Sequence, residues 1–209
     1  KYTTPLDKAL KTVMQGVSNA ESVLQYEGNG DAAMVMRRPE TLMENFTLQG
    51  GSGNNIHGIM NPDDEPGGLQ QSLFSNVQVR GFNGSGFQFG DMWLVTFHRC
   101  DARNCNIGWH FRRGVVDQVN DVTLESCNSR QNTNEALLME SLVRPLNIYG
   151  GNYANSQNSP AVRINSTISA MSIKGIYIER NNPCFQADAM SGCNMEGCRF
   201  HSLGSGSVA

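Results

Sequence analysis

The chain has 209 residues and a mass of 22.9 kDa, a length that suits one domain or one domain with an appendage. Its 16 basic and 19 acidic residues give a net charge of −3, which argues against a nucleic-acid-binding protein that works through bulk positive charge. No apolar run approaches the roughly 20 residues of a membrane span. We therefore expect neither nucleic acid binding nor membrane insertion.

Glycine and asparagine are both enriched, with 22 residues of each, about a fifth of the chain together. Both tolerate left-handed backbone conformations, so the composition predicts many turns and short strands. The six cysteines match neither a zinc-binding CxxC pattern nor a small disulfide framework. We expect them to be single buried thiols.

The N-terminal segment, residues 1–30, is predicted to hold a capping helix and a first strand. Thr4-Pro5 is followed by apolar residues at helical spacing, namely Leu6, Ala9, Leu10, Val13, Met14 and Val17, which is typical of an amphipathic helix that begins at a proline. Such a helix would cover the open end of a repeat structure formed by residues 31–209. Leu203–Ala209 has no comparable pattern, so we expect that end to continue or to be covered by a partner.

A loose repeat runs through residues 31–209. Seven segments share the order apolar, any residue, apolar, which predicts a strand with one buried face. Their first apolar residues lie about 24 residues apart on average and are Phe46, Val77, Val95, Val122, Leu146, Met171 and Cys193. Aligned without gaps, they also place Cys100 above Cys127 and predict a stacked turn column of Asn83, Asp101, Asn128 and Asn152.

A second strand follows each of the later ones. Its inward pairs are predicted to be Phe87/Phe89, Trp109/Phe111, Leu137/Met139, Val162/Ile164 and Phe185/Ala187. Two strands in each repeat of 22 to 27 residues are typical of an all-β parallel β-helix, here with about seven or eight coils.

The segments LVTFHRCDARNCNIGWHF, DVTLESCNSRQN and LNIYGGNYANSQNSPAVRI resemble the right-handed parallel β-helix of the pectate-lyase-like superfamily, and most of all bacteriophage tailspikes. The resemblance covers about Phe46 to Phe200 and depends on the coil pattern. It implies a homotrimeric virion protein of the phage tail that acts at the host surface, where it binds and depolymerises capsule or O-antigen. The motifs of calcium-dependent pectate lyases are absent, and no cofactor or metal is expected.

The alignment predicts an outward column of ionisable side chains on the first strands. Its members are Gln49, Arg80, His98, Glu125, Tyr149, Lys174 and Glu196. A neutral stripe of hydroxyl and amide groups lies beside this column, and together they suit an elongated polyhydroxylated ligand. The alternative is that both are an ordinary polar surface. We take Arg80, His98, Tyr149 and Lys174 as candidate substrate-binding residues, of types that elimination from a uronic acid requires.

Carboxylate spacing selects the candidate catalytic residues. Glycoside hydrolysis uses two carboxylates about 5 to 9.5 Å apart, whereas Glu125 and Glu196 are three coils, about 14 Å, apart. Glu140 and Asp188 are predicted on the second strands, two coils or about 9.6 Å apart. Arg112 beside Glu140 would lower the pKa of that carboxyl, which suits Glu140 as a base and not as an acid, and Arg112 is a further candidate substrate-binding residue. Glu125 remains a further catalytic candidate, and a surface ion pair is the alternative for Glu140.

Two other functions remain open at this stage. One is a structural or adhesive virion spike without catalysis, and the other is a free bacterial polysaccharide lyase or glycoside hydrolase of the same fold. The insertion Asn61–Gln71, with Asp63, Asp64 and Glu65, is either a calcium or substrate loop or a solvated surface loop.

Overall fold

The backbone follows the alternation of its apolar residues into a parallel β-solenoid of about seven turns. This is a computed structural model, and it describes residues 1, 3–8, 13–37, 40–51, 56–62, 68–154, 159–179 and 183–201. All secondary structure in these ranges is β. None of them contains a helix long and apolar enough to cross a bilayer.

The strands are short, as the glycine and asparagine content predicts. In chain order they are β1 Leu6–Lys8, β2 Val13–Gln15, β3 Val23–Gln25, β4 Ala32–Met36, β5 Leu42–Gln49, β6 His57–Met60, β7 Leu69–Arg80, β8 Ser85–Phe89, β9 Met92–His98, β10 Asp101–Arg103, β11 Ile107–Phe111, β12 Gln118–Glu125, β13 Asn128–Arg130, β14 Leu137–Met139, β15 Leu142–Val143, β16 Leu146–Tyr149, β17 Asn152–Ala154, β18 Val162–Ser169, β19 Met171–Lys174, β20 Tyr177–Glu179, β21 Phe185–Ser191, β22 Asn194–Glu196 and β23 Arg199–His201.

Each turn contributes to three parallel faces, which we call sheets A, B and C. Sheet A contains β2, β9, β16, β19 and β22 with the adjoining parts of β5, β7 and β12. Sheet B contains β3, β10, β13, β17, β20 and β23 with the ends of β5 and β7. Sheet C contains β1, β4, β6, β8, β11 and β14 with the starts of β18 and β21.

From β5 onwards, the corner from sheet A to sheet B is one residue with left-handed backbone, repeated on successive turns. These residues have φ between 52° and 66° and are Asn45, Asn76, Arg99, Ser126, Gly150, Gly175 and Gly197. In the early turns asparagine amides also link the corner, because Asn76 Nδ2 donates to Asn45 Oδ1 at 2.9 Å. A corner of constant length keeps the three sheets in the same register from turn to turn.

Aromatic side chains fill the centre of the solenoid. The rings of Phe87 and Trp109 stack at 4.1 Å with an angle of 8°, and those of Phe74 and Phe97 stack at 4.8 Å. Trp109 meets Phe97 edge to face at 5.1 Å, an arrangement that the ring quadrupoles favour. The position of Trp109 in the core agrees with its predicted inward orientation.

The predicted register of sheet C is confirmed in every pair. Trp109 pairs with Phe87 and Leu137, and the inward column continues through Val162 to Phe185. The stacking of Asp101, Asn128 and Asn152 is confirmed as well, since Asn128 Oδ1 accepts the backbone N–H of Asn152 at 3.0 Å. These residues begin strands β10, β13 and β17, however, and do not lie in turns.

The predicted register of sheet A is wrong in its first turns. Val95 was aligned with Val77, but it pairs with Ser72, five residues earlier. The physical reason is that β7 turns the corner at Asn76, so both of its halves show the same alternation and only the first half belongs to sheet A. Gln78 of β7, and not Asn83, therefore precedes Asp101 in this column.

The predicted N-terminal capping helix is also wrong. Leu6–Lys8 and Val13–Gln15 are strands that pair with β4 and β5, and residues 9–12 lie outside the described ranges. Leu6 and Met14 pack against the core from these strands, so backbone pairing with the next turn overrides local helical spacing. The segment Leu203–Ala209 lies outside the described residues.

The expectation of single thiols is confirmed. No disulfide joins any of the six cysteines, all of which lie in described parts of the chain. Cys100, Cys105, Cys127 and Cys184 are buried, while Cys193 and Cys198 are partly accessible. Burial raises the pKa of the Cys105 thiol to about 12 and that of Cys100 well above its usual value.

Two adjacent glycines, Gly150 and Gly151, allow the close packing between successive turns to be tested. Gly150 and Gly151 both have positive φ, but a Cβ at Gly150 meets nothing closer than 3.7 Å, whereas one at Gly151 would overlap the backbone of Cys127. We expect Gly150→Ala to cost about 1–2 kcal/mol for the left-handed backbone. Gly151→Ala should cost a further 1–3 kcal/mol, roughly, for overpacking. Thermal unfolding measures both, and equal midpoints for the two variants would contradict this packing.

Thiol titration tests the burial of the cysteines. Because the thiolate is the reactive species, we expect a thiol reagent to label Cys193 and Cys198 rapidly in the folded protein. The other four cysteines should react only after unfolding in denaturant. Rapid labelling of four or more thiols in the native state would show that the interior is not as described, and fewer than six in denaturant without reductant would indicate a disulfide.

Candidate functional site

A groove of about 650 Å³ opens on sheet C where the chain passes towards sheet A. Its lining residues are His110, Arg112, Arg113, Gly114, Val115, Glu140 and Asn165. One long connection forms its wall: six residues, 112–117, join β11 to β12, whereas two residues suffice between β8 and β9 and between β14 and β15. The groove thus lies beside a connection that is four residues longer than those of the turns directly before and after it.

Asp91, which lies on the preceding turn of the solenoid, holds the connection of residues 112–117 in place. This carboxylate is buried, and its two oxygens accept the backbone N–H groups of Val116 at 2.9 Å and Gln118 at 3.0 Å. Gly114 packs so closely on Asp91 that a Cβ would clash with it. The wall of the groove is therefore held through its backbone by the buried Asp91 carboxylate, and this hold does not depend on the exposed side chains of the wall.

Arg112 lies at the base of the same wall. Its Nη2 donates to the carbonyl oxygen of Asn61 at 2.6 Å, and Asn61 Oδ1 accepts the N–H of Gly90 at 2.7 Å. Burial lowers the pKa of the Arg112 guanidinium from its ordinary value. These contacts tie three successive turns together beneath the groove.

The central feature of the groove is a hydrogen bond between His110 and Glu140. His110 Nε2 lies 2.8 Å from Glu140 Oε2, and the side chains of the two residues are 13% and 39% exposed. Behind the imidazole, His110 Nδ1 faces the amide nitrogen of Gln88 at 3.3 Å and Ser85 Oγ at 3.4 Å. Both of these residues are buried.

This network defines the roles of the two imidazole nitrogens. The amide nitrogen of Gln88 can only donate, so Nδ1 of His110 accepts and Nε2–H donates to Glu140. One carboxylate oxygen of Glu140 is then fixed by the imidazole. An oriented, half-exposed carboxylate beside a histidine is suited to proton transfer with a ligand in the groove.

Of the candidate site residues predicted on sheet C, only some lie together at the groove. Glu140 and Arg112 line the groove, as does Asn165, which follows Glu140 by one turn. Asp188 is exposed, lies one turn further on, and is not among the lining residues. The sequence predicts Arg112 as the partner of the Glu140 carboxylate, but in the structure that carboxylate is hydrogen-bonded to His110.

The predicted stripe on sheet A is confirmed as a column from His98 onwards. His98 pairs with Glu125, then come Tyr149, Lys174 and Glu196 on consecutive turns. Lys174 Nζ lies 3.2 Å from Glu196 Oε2, and both side chains are about half exposed or more. That contact is a surface ion pair, which contributes little to stability. Neither of the two grooves found in the described residues reaches this stripe.

Arg80 does not belong to this stripe. The register error in β7 placed it above His98, but His98 pairs with Ser75 and Arg80 pairs with Arg103 on sheet B. Gln49 precedes Arg80 on sheet B for the same reason. The constellation that would join Arg80 to His98, Tyr149 and Lys174 is therefore not formed.

His110 is the functional residue that sequence reasoning missed. Of the four histidines, only His98 falls in the predicted outward column of ionisable side chains, so the sequence pattern assigns His110 no role. The alignment of Trp109 with Leu137 nevertheless puts His110 one outward position from Glu140 on the next turn. This diagonal placement of His110 and Glu140 on adjacent turns is the sequence feature from which their contact could have been predicted.

Within the described ranges, no group of three or more His, Cys, Asp or Glu residues is placed to hold a metal ion. Asp63, Asp64 and Glu65, the acidic residues of the Asn61–Gln71 insertion, lie outside those ranges. Comparison with models of protein families, with curated proteins and with solved structures finds no match for this chain.

The pH dependence of stability tests the network behind the groove. His57 Nδ1 accepts the N–H of Ser85 at 2.9 Å, and burial, with smaller contributions from His110 and Arg112, lowers the pKa of His57 from 6.5 to about 4. Between these values the unfolded chain binds a proton that the folded protein does not, so stability falls as pH decreases through this range.

We expect His57→Asn, whose amide oxygen can accept the same hydrogen bond without titrating, to show a smaller loss of thermal stability between pH 7 and pH 5 than the wild type. The measurement is the unfolding midpoint of both proteins across that range. Identical pH profiles would show that His57 is not held neutral.

Proposed function

We propose that this protein binds a linear bacterial surface polysaccharide in the groove on sheet C and depolymerises it with Glu140 as the acid–base group. The observation that supports this most is the hydrogen-bonded array of Gln88, His110 and Glu140 at the groove. A glutamate oriented in this way can protonate a glycosidic oxygen or activate a water molecule.

The shape of this side of the solenoid favours an elongated ligand. A second, smaller concavity of about 140 Å³ is lined by Gln118, Asn120, Leu142 and Arg144. Two of these residues, Leu142 and Arg144, follow Glu140 closely in the chain. Amides, guanidinium groups and a carboxylate in two neighbouring concavities offer donors and acceptors for sugar hydroxyls. A ligand that occupied both would span more than one sugar ring.

The tailspike resemblance extends this proposal to the whole particle. On this view the chain is a right-handed β-helix of the pectate-lyase-like superfamily, forms a homotrimer with other virion proteins on the phage tail, and acts extracellularly at the host surface. The parallel solenoid, the absence of disulfides and the presence of only four lysines against twelve arginines are compatible with it. Gel filtration near the mass of three chains would favour a spike over a free, monomeric bacterial enzyme.

Non-catalytic adhesion is the second candidate. Among the described residues that line the groove, Glu140 is the only carboxylate, whereas glycoside hydrolysis commonly uses two. Asp188 would have to act from one turn beyond Asn165. A groove that binds a polysaccharide without cutting it would have the same shape and the same polar lining.

Substitution of the carboxylates tests the cleavage. The protein is incubated with a panel of capsular and O-antigen polysaccharides, and new reducing ends and ultraviolet absorbance are followed together. For a substrate that the wild type cleaves, we expect Glu140→Gln to lower the rate by about a hundredfold or more, because the proton-transfer group is lost. Asp188→Asn shows whether the second carboxylate participates. Glu179→Gln, on sheet B, is the control that should leave the rate unchanged.

The other outcomes separate the candidates. An unchanged rate in Glu140→Gln contradicts the proposed site, and a loss of rate in Glu125→Gln would transfer it to sheet A. Rising absorbance from an unsaturated sugar would indicate elimination and point to His98, Tyr149 and Lys174. Binding without new ends on any polysaccharide would favour the adhesive spike.

A further inference from the structure

Three arginines occupy the same outward position on three consecutive turns of sheet B. Arg80 pairs with Arg103, and Arg103 pairs with Arg130. Successive turns of a parallel sheet are about 4.8 Å apart, and like charges directly opposite one another destabilise a sheet. We call these three residues the arginine ladder.

One buried carboxylate partly neutralises the arginine ladder. Asp101 Oδ2 accepts from Nη2 of Arg103 at 2.8 Å and from Nη2 of Arg130 at 3.1 Å, while Arg80 Nη2 donates to Gln49 Oε1 at 3.0 Å. The outward neighbours of the ladder are Gln49 on the turn before and Ala154 on the turn after. Two of the three guanidinium groups thus share a single carboxylate, while that of Arg80 contacts a neutral amide.

The hydrogen bonding of Asp101 is incomplete. Its side chain is 7% exposed, yet Oδ1 is buried without a hydrogen-bond partner, and the same holds for Nε of Arg130. Unsatisfied buried polar atoms of this kind are uncommon and costly in folded proteins. Some polar atoms of the ladder and of Asp101 therefore have no hydrogen-bond partner within the described part of the chain.

The stripe on sheet A shows a different arrangement of surface charge. There Lys174 contacts Glu196, and Glu125 lies next to His98, so adjacent turns carry groups that can attract each other. The arginine ladder repeats one sign instead. A column of equal charge stabilises the protein less than an alternating one, which favours a role in binding a ligand of opposite charge.

The ladder has donors left for such a ligand. A guanidinium group has five N–H donors in a planar fork, and the described contacts of Arg103 and Arg130 use Nη2 of each. Their side chains remain 35% and 37% exposed. Arginine binds carboxylates in a bidentate manner, with two parallel hydrogen bonds.

We propose that the arginine ladder is a second binding site, which takes a linear polysaccharide with a carboxylate on its sugar units, lying along the solenoid axis. Each carboxylate would bind one guanidinium group of the ladder. Nucleic acid is the less suitable ligand, because the net charge of the chain is −3 and the ladder is one residue wide, whereas phosphate backbones are bound by extended basic surfaces. The site is on sheet B and does not depend on cleavage at Glu140.

Titration calorimetry with a short oligomannuronate tests the proposal. Arg80 does not contact Asp101, so Arg80→Gln removes one charge of the ladder without leaving that carboxylate unpaired. We expect this variant to bind at least about tenfold more weakly, as for the loss of a charged hydrogen bond, with an unchanged unfolding midpoint. Arg80→Lys should fall between wild type and Arg80→Gln, since lysine keeps the charge but not the fork.

Controls distinguish the ladder from general electrostatic attraction. Arg199→Gln removes an exposed arginine of sheet B outside the ladder, one that lies over the ring of Tyr177, and it should leave the affinity unchanged. A neutral dextran oligosaccharide of equal length should not bind this site. The proposal fails if Arg80→Gln binds like the wild type, if dextran or a single-stranded oligonucleotide binds through the ladder equally well, or if oligomannuronate does not bind.

Glu140→Gln is measured in the same assay. It should retain wild-type affinity for oligomannuronate at the ladder, even where it abolishes the release of reducing ends from another polysaccharide. Loss of cleavage and loss of ladder binding are thus observed with different variants, and each proposal can fail without the other.

Discussion

The organisation of this protein depends on the in-register pairing of each turn with the next through backbone hydrogen bonds. That pairing requires turns of equal effective length, and the single left-handed residue between sheets A and B supplies the constant part. Where the residue is not glycine, as at Arg99 and Ser126, an unfavourable backbone conformation is maintained by the hydrogen bonds around it, such as Arg99 N–H to Glu125 O at 2.8 Å. Columns of side chains then follow as a geometric result, including the aromatic core, the stripe on sheet A and the arginine ladder.

The groove shows how a regular scaffold becomes irregular in one place. The strands on either side of residues 112–117 keep their register, so the longer connection projects from the solenoid without disturbing it. Asp91 from the preceding turn and Asn61 from the turn before that hold its two ends. His110 and Glu140 lie on regular strands or directly after them, which gives the proposed proton-transfer group a rigid support.

Much of this fold could be predicted from alternation, and its failures have identifiable causes. The register of sheet C is predictable because its inward positions are apolar in every aligned repeat, so that only one register buries Trp109 and Phe111. In β7 the two halves of one strand present equivalent patterns, and no local signal places the corner at Asn76. At the N-terminus the local spacing of apolar residues predicts a helix, because that spacing carries no information on the pairing of β1 with β4 and of β2 with β5.

The candidate site was predictable to a smaller degree. Glu140 and Arg112 follow from the register of sheet C, but a groove depends on how a connection folds back over the strands, which periodicity does not describe. The partner of Glu140 follows from the same register once diagonal neighbours are considered. Arg80 was misplaced by the error in β7, and its actual neighbours, Arg103 and Arg130, became apparent only from the pairing of β7 with β10.

The unequal corners of the solenoid have a consequence for evolution. From β5 onwards the corner between sheets A and B is a single residue, although seven residues, 16–22, separate β2 from β3 in the first turn. The connection from sheet C to sheet A is more variable, with eight residues between β6 and β7, two between β8 and β9 and six between β11 and β12, and the strands that follow these connections stay in register. Related proteins could therefore acquire new ligand specificities by lengthening or shortening this one edge, while the opposite edge and the core remained as they are.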